Sequence, residues 1–410
     1  MDHASDGAGW PAADKAGAVA ARARRGAAPP RLPRIVPRLA PKATAGSAPR
    51  LAVVSNAFRL AEPRERAPQD WREHLASLLA WLGIEAEFVP TPPGSLLKRV
   101  AGLAPQPHRR AATAPVFAPW TAWCPTTFQN GGIPGLPQAL FVASYCLEHE
   151  RAFADPRGRG TDIMLLSPHP AACTAEQAHR DALPRAGVLR AMLRAALADG
   201  RERIAILANA RHRAAIQRMR LADDPRLTRE DACLEIISIE ESLPVLMSGS
   251  APWDAIIAMP DLRGMVFAML TEVTGVRGPW PMLWCTRTGI TRITAEALGE
   301  GAGCLPLDSA VLVHALALAL RDAGRGRAAL RLHEGWARLR DSGVTTARRG
   351  DDAPYVTRVA EAEFLALICR NAAASKRAQT PWRALENLQM SVLGNPTPTL
   401  RIVSSNLASS

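Results

Sequence analysis

Short apolar runs alternate along the middle of the chain with longer segments in which apolar residues recur every three or four positions. Strands are predicted for the runs 51–55, 86–89, 161–166, 204–207, 233–239 and 255–259. Helical spacing predicts helices over 71–82, 185–198, 308–321, 328–341 and 359–369. Such alternation is typical of an α/β fold with a largely parallel or mixed sheet. Residues 100–135, rich in proline, tryptophan and glycine, show no clear period.

Hydrophobic residues make up 48% of the 410 residues, which is enough for a sizeable core. The longest apolar run, 309–320 (SAVLVHALALAL), is shorter than the roughly 20 residues that a membrane-spanning helix needs. We therefore expect neither a membrane-spanning protein nor a fully disordered chain.

The formal net charge of +12 is concentrated in the two ends of the chain. Residues 1–50 carry nine Lys and Arg against three Asp and Glu, and residues 371–410 carry four against one. This composition predicts a disordered basic tail over 1–50 and a flexible tail over 373–410. An Arg-rich, acid-poor start is also typical of an organelle transit peptide, and a misassigned start codon would look the same. Nucleic-acid binding by these arms is a further alternative.

The seven cysteines are scattered without a CxxC pair, so we expect free thiols in a reducing, cytoplasmic compartment and no structural zinc. Lysine and tyrosine are scarce, because the chain has two tyrosines and its four lysines are Lys15, Lys42, Lys98 and Lys376. A mechanism that needs a lysine base or a tyrosine acid therefore has few residues to use.

From about residue 160 to about residue 370, the order of segments resembles the isocitrate/isopropylmalate dehydrogenase family of β-decarboxylating dehydrogenases. The family's Lys-Ala-Asn strand end is matched by IAILAN at 204–209, and its Ile-Val-Asp-Asn by ISIEE at 237–241. Its Phe-Asp-Val-Ile and Asn-Leu-Phe-Gly-Asp-Ile-Leu-Ser-Asp blocks are matched by WDAII at 253–257 and DLRGMVFAM at 261–269. Its closing Ile-Ala-Asn-Pro block is matched by GCLPLDSAVLVHALALAL at 303–320.

The resemblance implies a two-domain α/β architecture with a mixed sheet flanked by helices. The larger domain would be discontinuous, formed by 51–118 plus 276–372. The smaller domain would be the inserted segment 119–275, which would carry the dimer contacts. The resemblance also implies a homodimer, or a heteromer with an active paralogue.

Members of this family oxidise a 2-hydroxy acid with NAD(P) and decarboxylate the product with help from Mg²⁺ or Mn²⁺, which three carboxylates hold. The matching positions are Glu240, Met265 and Met269, so one carboxylate remains and two are replaced by methionine. The family's catalytic lysine and tyrosine correspond to Leu207 and Thr174. The resemblance therefore carries the family's pattern without most of its reactive side chains.

The positions that would bind the cofactor and the substrate are replaced as well. The family's adenine loop and its adenine-contacting asparagine correspond to Arg292 and Leu305. The substrate arginines fall near Pro137 and Leu147, and the first glycine turn reads NAFR at 56–59. An adenine beside Leu305 would lack the polar partners that such a site needs.

These substitutions lead to a first interpretation, a non-catalytic pseudoenzyme or regulatory subunit that needs no cofactor. A second interpretation is an active NAD(P)-dependent enzyme with a rebuilt site, using His169, Glu176 and His179 or the pair Glu240–Glu241. The alternative for the glutamates is that they cap the helix that follows. The tryptophans of segment 280–284 fall on a variable loop of the family, where they would stack on a ligand or pack into the core.

Overall fold

A mixed sheet of 11 strands forms the frame of the molecule. The computed structural model describes residues 35–36, 58–61, 69–89, 115–122, 139–148, 161–169, 172–174, 183–219, 221, 229–276, 278–287, 289–297, 306–346, 356–370 and 381–386. They belong to the unit Arg34–Ser410, and a separate unit, Met1–Pro33, lies outside the described residues.

The strands in chain order are β1 Ile35–Val36, β2 Phe58–Ala61, β3 Ala86–Val89, β4 Val116–Ala122, β5 Phe141–Glu148, β6 Thr161–Pro168, β7 Cys173–Thr174, β8 Leu183–Pro184, β9 Arg203–Ala208, β10 Arg229–Ser238, β11 Ala255–Ala258, β12 Trp280–Thr286, β13 Gly289–Glu296, β14 Val344–Thr346 and β15 Thr357–Val359. The order across the main sheet is β1-β10-β9-β11-β6-β5-β12-β13-β4-β2-β3. Strands β10, β9, β11 and β6 are parallel, whereas β5 and β12 run antiparallel to their neighbours. The predicted α/β class with a mixed sheet is confirmed.

The helices are α1 Gln69–Trp81, α2 Ala186–Ala198, α3 Ala210–Gln217, α4 Ile239–Met247, α5 Pro260–Thr274, α6 Ser309–Asp322, α7 Gly326–Asp341 and α8 Glu361–Cys369. Helix α6 begins at an Asp308 cap, whose carboxylate accepts a hydrogen bond from the Val311 N–H at 2.9 Å. Residues 309–320 of this helix are all buried, which explains the longest apolar run of the sequence. None of the helices in the described ranges is long and apolar enough to cross a bilayer.

The helices predicted from apolar spacing are confirmed, within two residues at most ends, because each buries its periodic apolar face. In α1, for example, Leu75, Leu78 and Leu79 are buried. The predicted strands at 86–89, 161–166, 204–207, 233–239 and 255–259 are confirmed as β3, β6, β9, β10 and β11. The run 51–55 lies outside the described residues.

The hydrophobic pattern did not predict the strands whose two faces are both covered by other parts of the molecule. Strand β4 lies inside the segment without a clear period, β12 lies where the loop interpretation placed Trp280 and Trp284, and β13 carries Arg292, which was expected in the adenine loop. Phe58 and Arg59, expected in the first glycine turn, belong to β2 instead. A strand that is covered on both sides has no alternation of polar and apolar positions to reveal it.

Short stretches of both predicted tails lie within the described residues. Residues 35–36 of the predicted basic tail form the edge strand β1, which pairs with β10. The remainder of that tail lies outside the described residues. Residues 381–386 do not behave as the predicted flexible tail, since Trp382 and Leu385 are buried in the core. The cause is the contact of this segment with the Asp162 and Asp254 carboxylates and with the rings of His314, His333 and Trp336. The two domain boundaries stay predictions.

Candidate functional site

The carboxyl ends of β6, β9, β10 and β11 are the place where an open α/β sheet ordinarily binds its ligands. These parallel strands end at Pro168, Ala208, Ser238 and Ala258. Directly beyond them lie His169, Cys173, Asn209, Asp261 and the first turn of α4, which we call the carboxyl edge. Each group is placed there because its strand ends and the chain turns into a helix or loop.

Asn209 and Asp261 join two of these strand ends. Asn209 precedes α3, and its amide Nδ2 donates to Asp261 Oδ2 at 2.6 Å. Asp261 stands in the first turn of α5, where the helix dipole favours a negative charge. The pair therefore fixes the start of α5 against the end of β9 and occupies one oxygen of the carboxylate.

His169 and Cys173 form the loop after β6. The His169 N–H donates to the Leu140 carbonyl at 3.0 Å, and Cys173 Sγ lies 3.6 Å from the His169 carbonyl. Burial lowers the pKa of His169 to about 4, so the imidazole is neutral at pH 7. Burial, and then the Asp261 carboxylate, raise the pKa of the Cys173 thiol to about 12, so it stays protonated. This pair does not supply a thiolate nucleophile.

Glu241 caps the helix it begins, as the alternative to a metal or catalytic role predicted. The Glu241 N–H donates to Ser238 Oγ at 3.2 Å, and the Ser238 N–H donates to Glu241 Oε2 at 3.4 Å. Arg213 of α3 donates to both carboxylate oxygens of Glu241 at 2.9 Å. Glu240, the one carboxylate that the resemblance matches to a metal ligand, is exposed in the same helical turn.

The positions that match the family's base and its other metal ligands carry no reactive group. Leu207 is fully buried, at 0% exposure, and pairs with Ile237 and Ala258 inside the sheet. Met265 is 41% exposed on α5, and Met269 is partly buried on the same helix. Within the described residues there is no group of three or more His, Cys, Asp or Glu side chains that could hold a metal ion.

One of the two expected cofactor positions, Arg292, lies inside the sheet. Arg292 is 2% exposed on β13, and its guanidinium lies 5.5 Å from the centre of the Trp284 ring on β12. Burial lowers the pKa of Arg292 to about 9. Trp280 packs on Phe267 with the ring centres 4.3 Å apart. Both tryptophans pack into the core, as the second of the two alternatives predicted, but they do so from a strand and not from a loop.

Several other predicted site residues lie outside the described residues or inside strands. Leu305, Pro137, Glu176 and His179 lie outside the described residues, as do Asn56 and Ala57. Thr174 lies in β7, where its backbone pairs with Leu183. Leu147 is a buried residue of β5.

Sequence reasoning missed a cluster of buried charges at the opposite end of the same strands, which we call the amino edge. Asp162 near the start of β6 pairs with Arg201 at 2.6 Å, and both side chains are at most 1% exposed. Asp254, directly before β11, accepts from the Glu202 and Arg203 N–H groups at 2.9 and 3.0 Å and pairs with Arg383. The available signal was an aspartate placed at the head of a wholly apolar strand, as in TDIMLL and WDAII.

A third polar cluster lies under α5. Arg263 is fully buried and pairs with Glu296 of β13 at 2.5 Å, while its Nη2 donates to Ser144 of β5 at 2.7 Å. Its Nη1 also donates to the Leu165 carbonyl at 3.3 Å. The guanidinium thus joins three strands to one helix, which is a structural role for a charge expected at the surface.

This sheet order and its helices define an isocitrate dehydrogenase-like fold, which confirms the resemblance at the level of the fold. Isocitrate dehydrogenase from Methylococcus capsulatus has a TM-score of 0.50 and 12% identity, over 76% of this chain and 98% of its own. TT0538 protein from Thermus thermophilus has a TM-score of 0.52 and 14% identity, over 78% of this chain and 68% of its own. No protein family and no curated protein is similar enough in sequence to match.

Proposed function

We propose that this chain is a non-catalytic protein with an isocitrate dehydrogenase-like fold, which acts as a partner or regulatory subunit of an active dehydrogenase. The observation that carries the proposal is Leu207, a fully buried leucine at the position of the family's lysine base. Met265 and Met269 stand at two of the three metal-ligand positions, and a thioether is a poor ligand for a hard cation such as Mg²⁺. A polar reaction site has thus been replaced by apolar residues that suit the fold.

Turnover is the direct test. We expect no oxidation of isocitrate, isopropylmalate or malate above background with NAD or NADP and with Mg²⁺ or Mn²⁺. An active family enzyme measured in the same buffers is the positive control. Turnover that rises with the amount of this chain would contradict the proposal.

The outer faces of α4 and α5 support a partner role. Met247 on α4 is 57% exposed and Met265 on α5 is 41% exposed, and the two helices pack on each other. Such apolar side chains gain free energy when a second subunit covers them, about 25 cal/mol for each Å² removed from water. We infer a homodimer or a heteromer with an active paralogue that uses this face, in the cytoplasm, where free thiols persist.

Co-purification with an active isocitrate dehydrogenase-like enzyme tests the partner role. We expect the two chains to elute together and the enzyme's kinetics to change when this chain is added. The double substitution Met247→Asp and Met265→Asp should abolish both effects, and Arg327→Asp on the exposed side of α7 is the matched control. Separate elution with unchanged kinetics would rule out the role.

An active enzyme with a rebuilt site is the second candidate, and the presence of His169, Asn209 and Asp261 at the carboxyl edge is what favours it. The neutral His169 imidazole can accept a proton, although a pKa of about 4 makes it a weak base. If the turnover assay is positive, His169→Gln and Asp261→Asn should each reduce the rate by at least about 100-fold. Unchanged rates in both variants would exclude this site.

A further inference from the structure

The segment 381–386 (PWRALE) is buried against the amino edge of the sheet. Trp382 is 1% exposed, Arg383 is 7% exposed, and Leu385 is 0% exposed. A short helical turn holds the segment together, since the Leu385 N–H donates to the Trp382 carbonyl at 2.8 Å. Because few of its contacts are local in sequence, its position depends on groups that belong to other elements. We call this segment the C-terminal latch.

Trp382 is enclosed by three aromatic rings, which we call the cage: His314 of α6 with His333 and Trp336 of α7. The ring centres of His314 and His333 lie 4.5 and 4.3 Å from that of Trp382, both nearly perpendicular to it. The Trp336 ring centre lies 5.2 Å away. Edge-to-face contacts of this kind add to the stabilisation that burial of the indole provides.

Polar contacts hold the neighbouring residues of the latch. The Arg383 N–H donates to Asp162 Oδ2 at 2.8 Å, and the Arg383 guanidinium pairs with Asp254 at 3.0 Å. Arg321 of α6 donates to the Ala384 carbonyl at 3.2 Å. These three contacts come from α6 and from the starts of two parallel strands. The latch therefore covers the amino edge of the sheet, and its release would expose the Asp162 and Asp254 carboxylates to solvent.

His333 is the cage residue that a proton would disturb. Its side chain is 2% exposed, and its Nε2 has no hydrogen-bond partner within the described part of the chain. Burial lowers its pKa to about 4, and the opposing attraction comes from the Asp162 carboxylate. A protonated ring would place a charge among Trp336, Trp382 and His314 without a hydrogen-bond acceptor at Nε2, which is unfavourable.

The charged groups around the cage come from each element packed on it. They are Asp162 on β6, Asp199 after α2, Arg201 ahead of β9, Asp254 ahead of β11, Arg321 and Asp322 on α6, Arg340 and Asp341 on α7, and Arg383 on the latch itself. Each of the four arginines is paired with an aspartate, and the partner of Arg201 is Asp162. Asp162 is therefore the charge that would favour a protonated His333, and its oxygens are already bonded to Arg201 and to the Arg383 N–H.

We propose that residues 381–386 are a proton-sensitive latch, which is docked while the His333 ring in the cage is neutral and released as a unit when that ring is protonated. Release separates Trp382 from the cage and Arg383 from Asp162 and Asp254. The sheet itself stays folded, because β6, β9 and β11 keep their own hydrogen bonds and the Asp162–Arg201 pair. The latch is thus a local opening that is distinct from global unfolding.

Hydrogen exchange of the full chain, read by mass spectrometry at pH 7.5 and pH 5.0, tests the latch. After correction for intrinsic exchange, the opening constant of the latch amides should rise by roughly 30-fold, the factor expected for a pKa that falls from 6.5 to about 4. The β9 amides serve as the internal reference and should stay more protected at both pH values. Exchange of latch and β9 amides with one common opening constant at both pH values would overturn the proposal.

His333→Phe keeps a ring in the cage but removes the titrating group, so the rise of roughly 30-fold should disappear while β9 protection is retained. A rise that persists in this variant would also overturn the proposal. Should His333→Phe weaken β9 protection, Arg383→Gln provides an independent test at pH 7.5. It removes the pairing with Asp254, so the latch amides should exchange at least about 5-fold faster while those of β9 do not change. An equal change in both sets would contradict the latch.

Discussion

The two ends of the same parallel strands use their polar residues in different ways. At the amino edge, Asp162 and Arg201 are almost wholly excluded from water and each has several polar contacts. At the carboxyl edge, Arg213 and Glu241 are 40% and 52% exposed, and Leu207, which the resemblance matches to the family's base, is fully buried. The edge that ordinarily binds ligands in this architecture carries a helix cap and an exposed ion pair. The opposite edge holds the buried charges, and there they join segments that are far apart in sequence.

This difference shows which polar residues of the chain stabilise the fold and which are accessible to a ligand. A buried charge costs free energy unless it is paired and hydrogen-bonded, so a cluster such as the amino edge persists when each member has partners. The Asp254 carboxylate accepts from two backbone N–H groups and pairs with a guanidinium. The Glu241 carboxylate at the carboxyl edge is exposed to solvent, so it does not need paired and hydrogen-bonded partners in the same way. The first edge is thus structural, and the second is the one that a ligand could reach.

The largest effect should come from restoring the family's base at the carboxyl edge. Leu207→Lys places an ammonium in a strand position of 0% exposure between β10 and β11, where its paired neighbours Ile237 and Ala258 are apolar. We expect the free energy of unfolding to fall by about 5 kcal/mol. Leu207→Met, of similar volume, should cost less than about 1.5 kcal/mol. Urea denaturation followed by circular dichroism measures both. A well-folded lysine variant would show that the position still opens toward a site.

The second effect compares one aspartate from each edge. Asp162→Ala leaves Arg201 buried without its carboxylate and removes the acceptor of the Arg383 N–H, so we expect a loss of about 4 kcal/mol. Asp261→Ala removes one hydrogen bond to Asn209 and a favourable dipole interaction, with an expected loss of about 1 kcal/mol. The two variants share the same chemical change, so each is the control of the other. Equal losses would remove the distinction between the edges.

The sequence predicted the fold much better than it predicted these edges. Helix α6 was visible because every residue from 309 to 320 is buried and the run is bounded by an aspartate cap. The loss of the family's site stays a prediction, which rests on Leu207, Met265 and Met269 at positions where the family has a lysine and two carboxylates. The amino edge was not visible, because pairing of Asp162 with Arg201 and Arg383 depends on contacts over 39 and 221 residues of sequence. Arg292 and Trp284 likewise meet only through strand register.

The third effect is a dependence of stability on pH that involves both ends of the molecule. Burial lowers the pKa of His169 at the carboxyl edge and of His333 in the cage to about 4, whereas an unfolded histidine titrates near about 6.5. Between these values the unfolded chain binds protons that the folded chain does not, so the free energy of unfolding falls as pH falls from 6.5 to 4. Each histidine contributes up to about 3 kcal/mol to this loss.

Urea denaturation at pH 7.5, 5.5 and 4.5 measures this slope for the native chain, for His169→Gln and for His333→Phe. Each substitution should remove about half of the difference between pH 7.5 and pH 4.5 that these two residues contribute. A slope that His333→Phe removes and His169→Gln leaves intact would place the acid sensitivity at the cage alone. Stability that does not change over this range would contradict the neutral, buried state of both rings.

The smallest effect concerns the pair of Arg213 and Glu241, which is the most exposed ion pair at the carboxyl edge. Exposed pairs contribute little, so Arg213→Ala should change the free energy of unfolding by about 0.3 kcal/mol. Ser238→Ala is the matched control, because it removes the cap of the same helix and should cost about 1 kcal/mol. If Arg213→Ala instead abolishes partner binding while stability is unchanged, the carboxyl edge still recognises a ligand or a subunit. The accessible carboxyl edge would then have a binding function that the structural amino edge lacks, and Arg213 would be the first contact identified there.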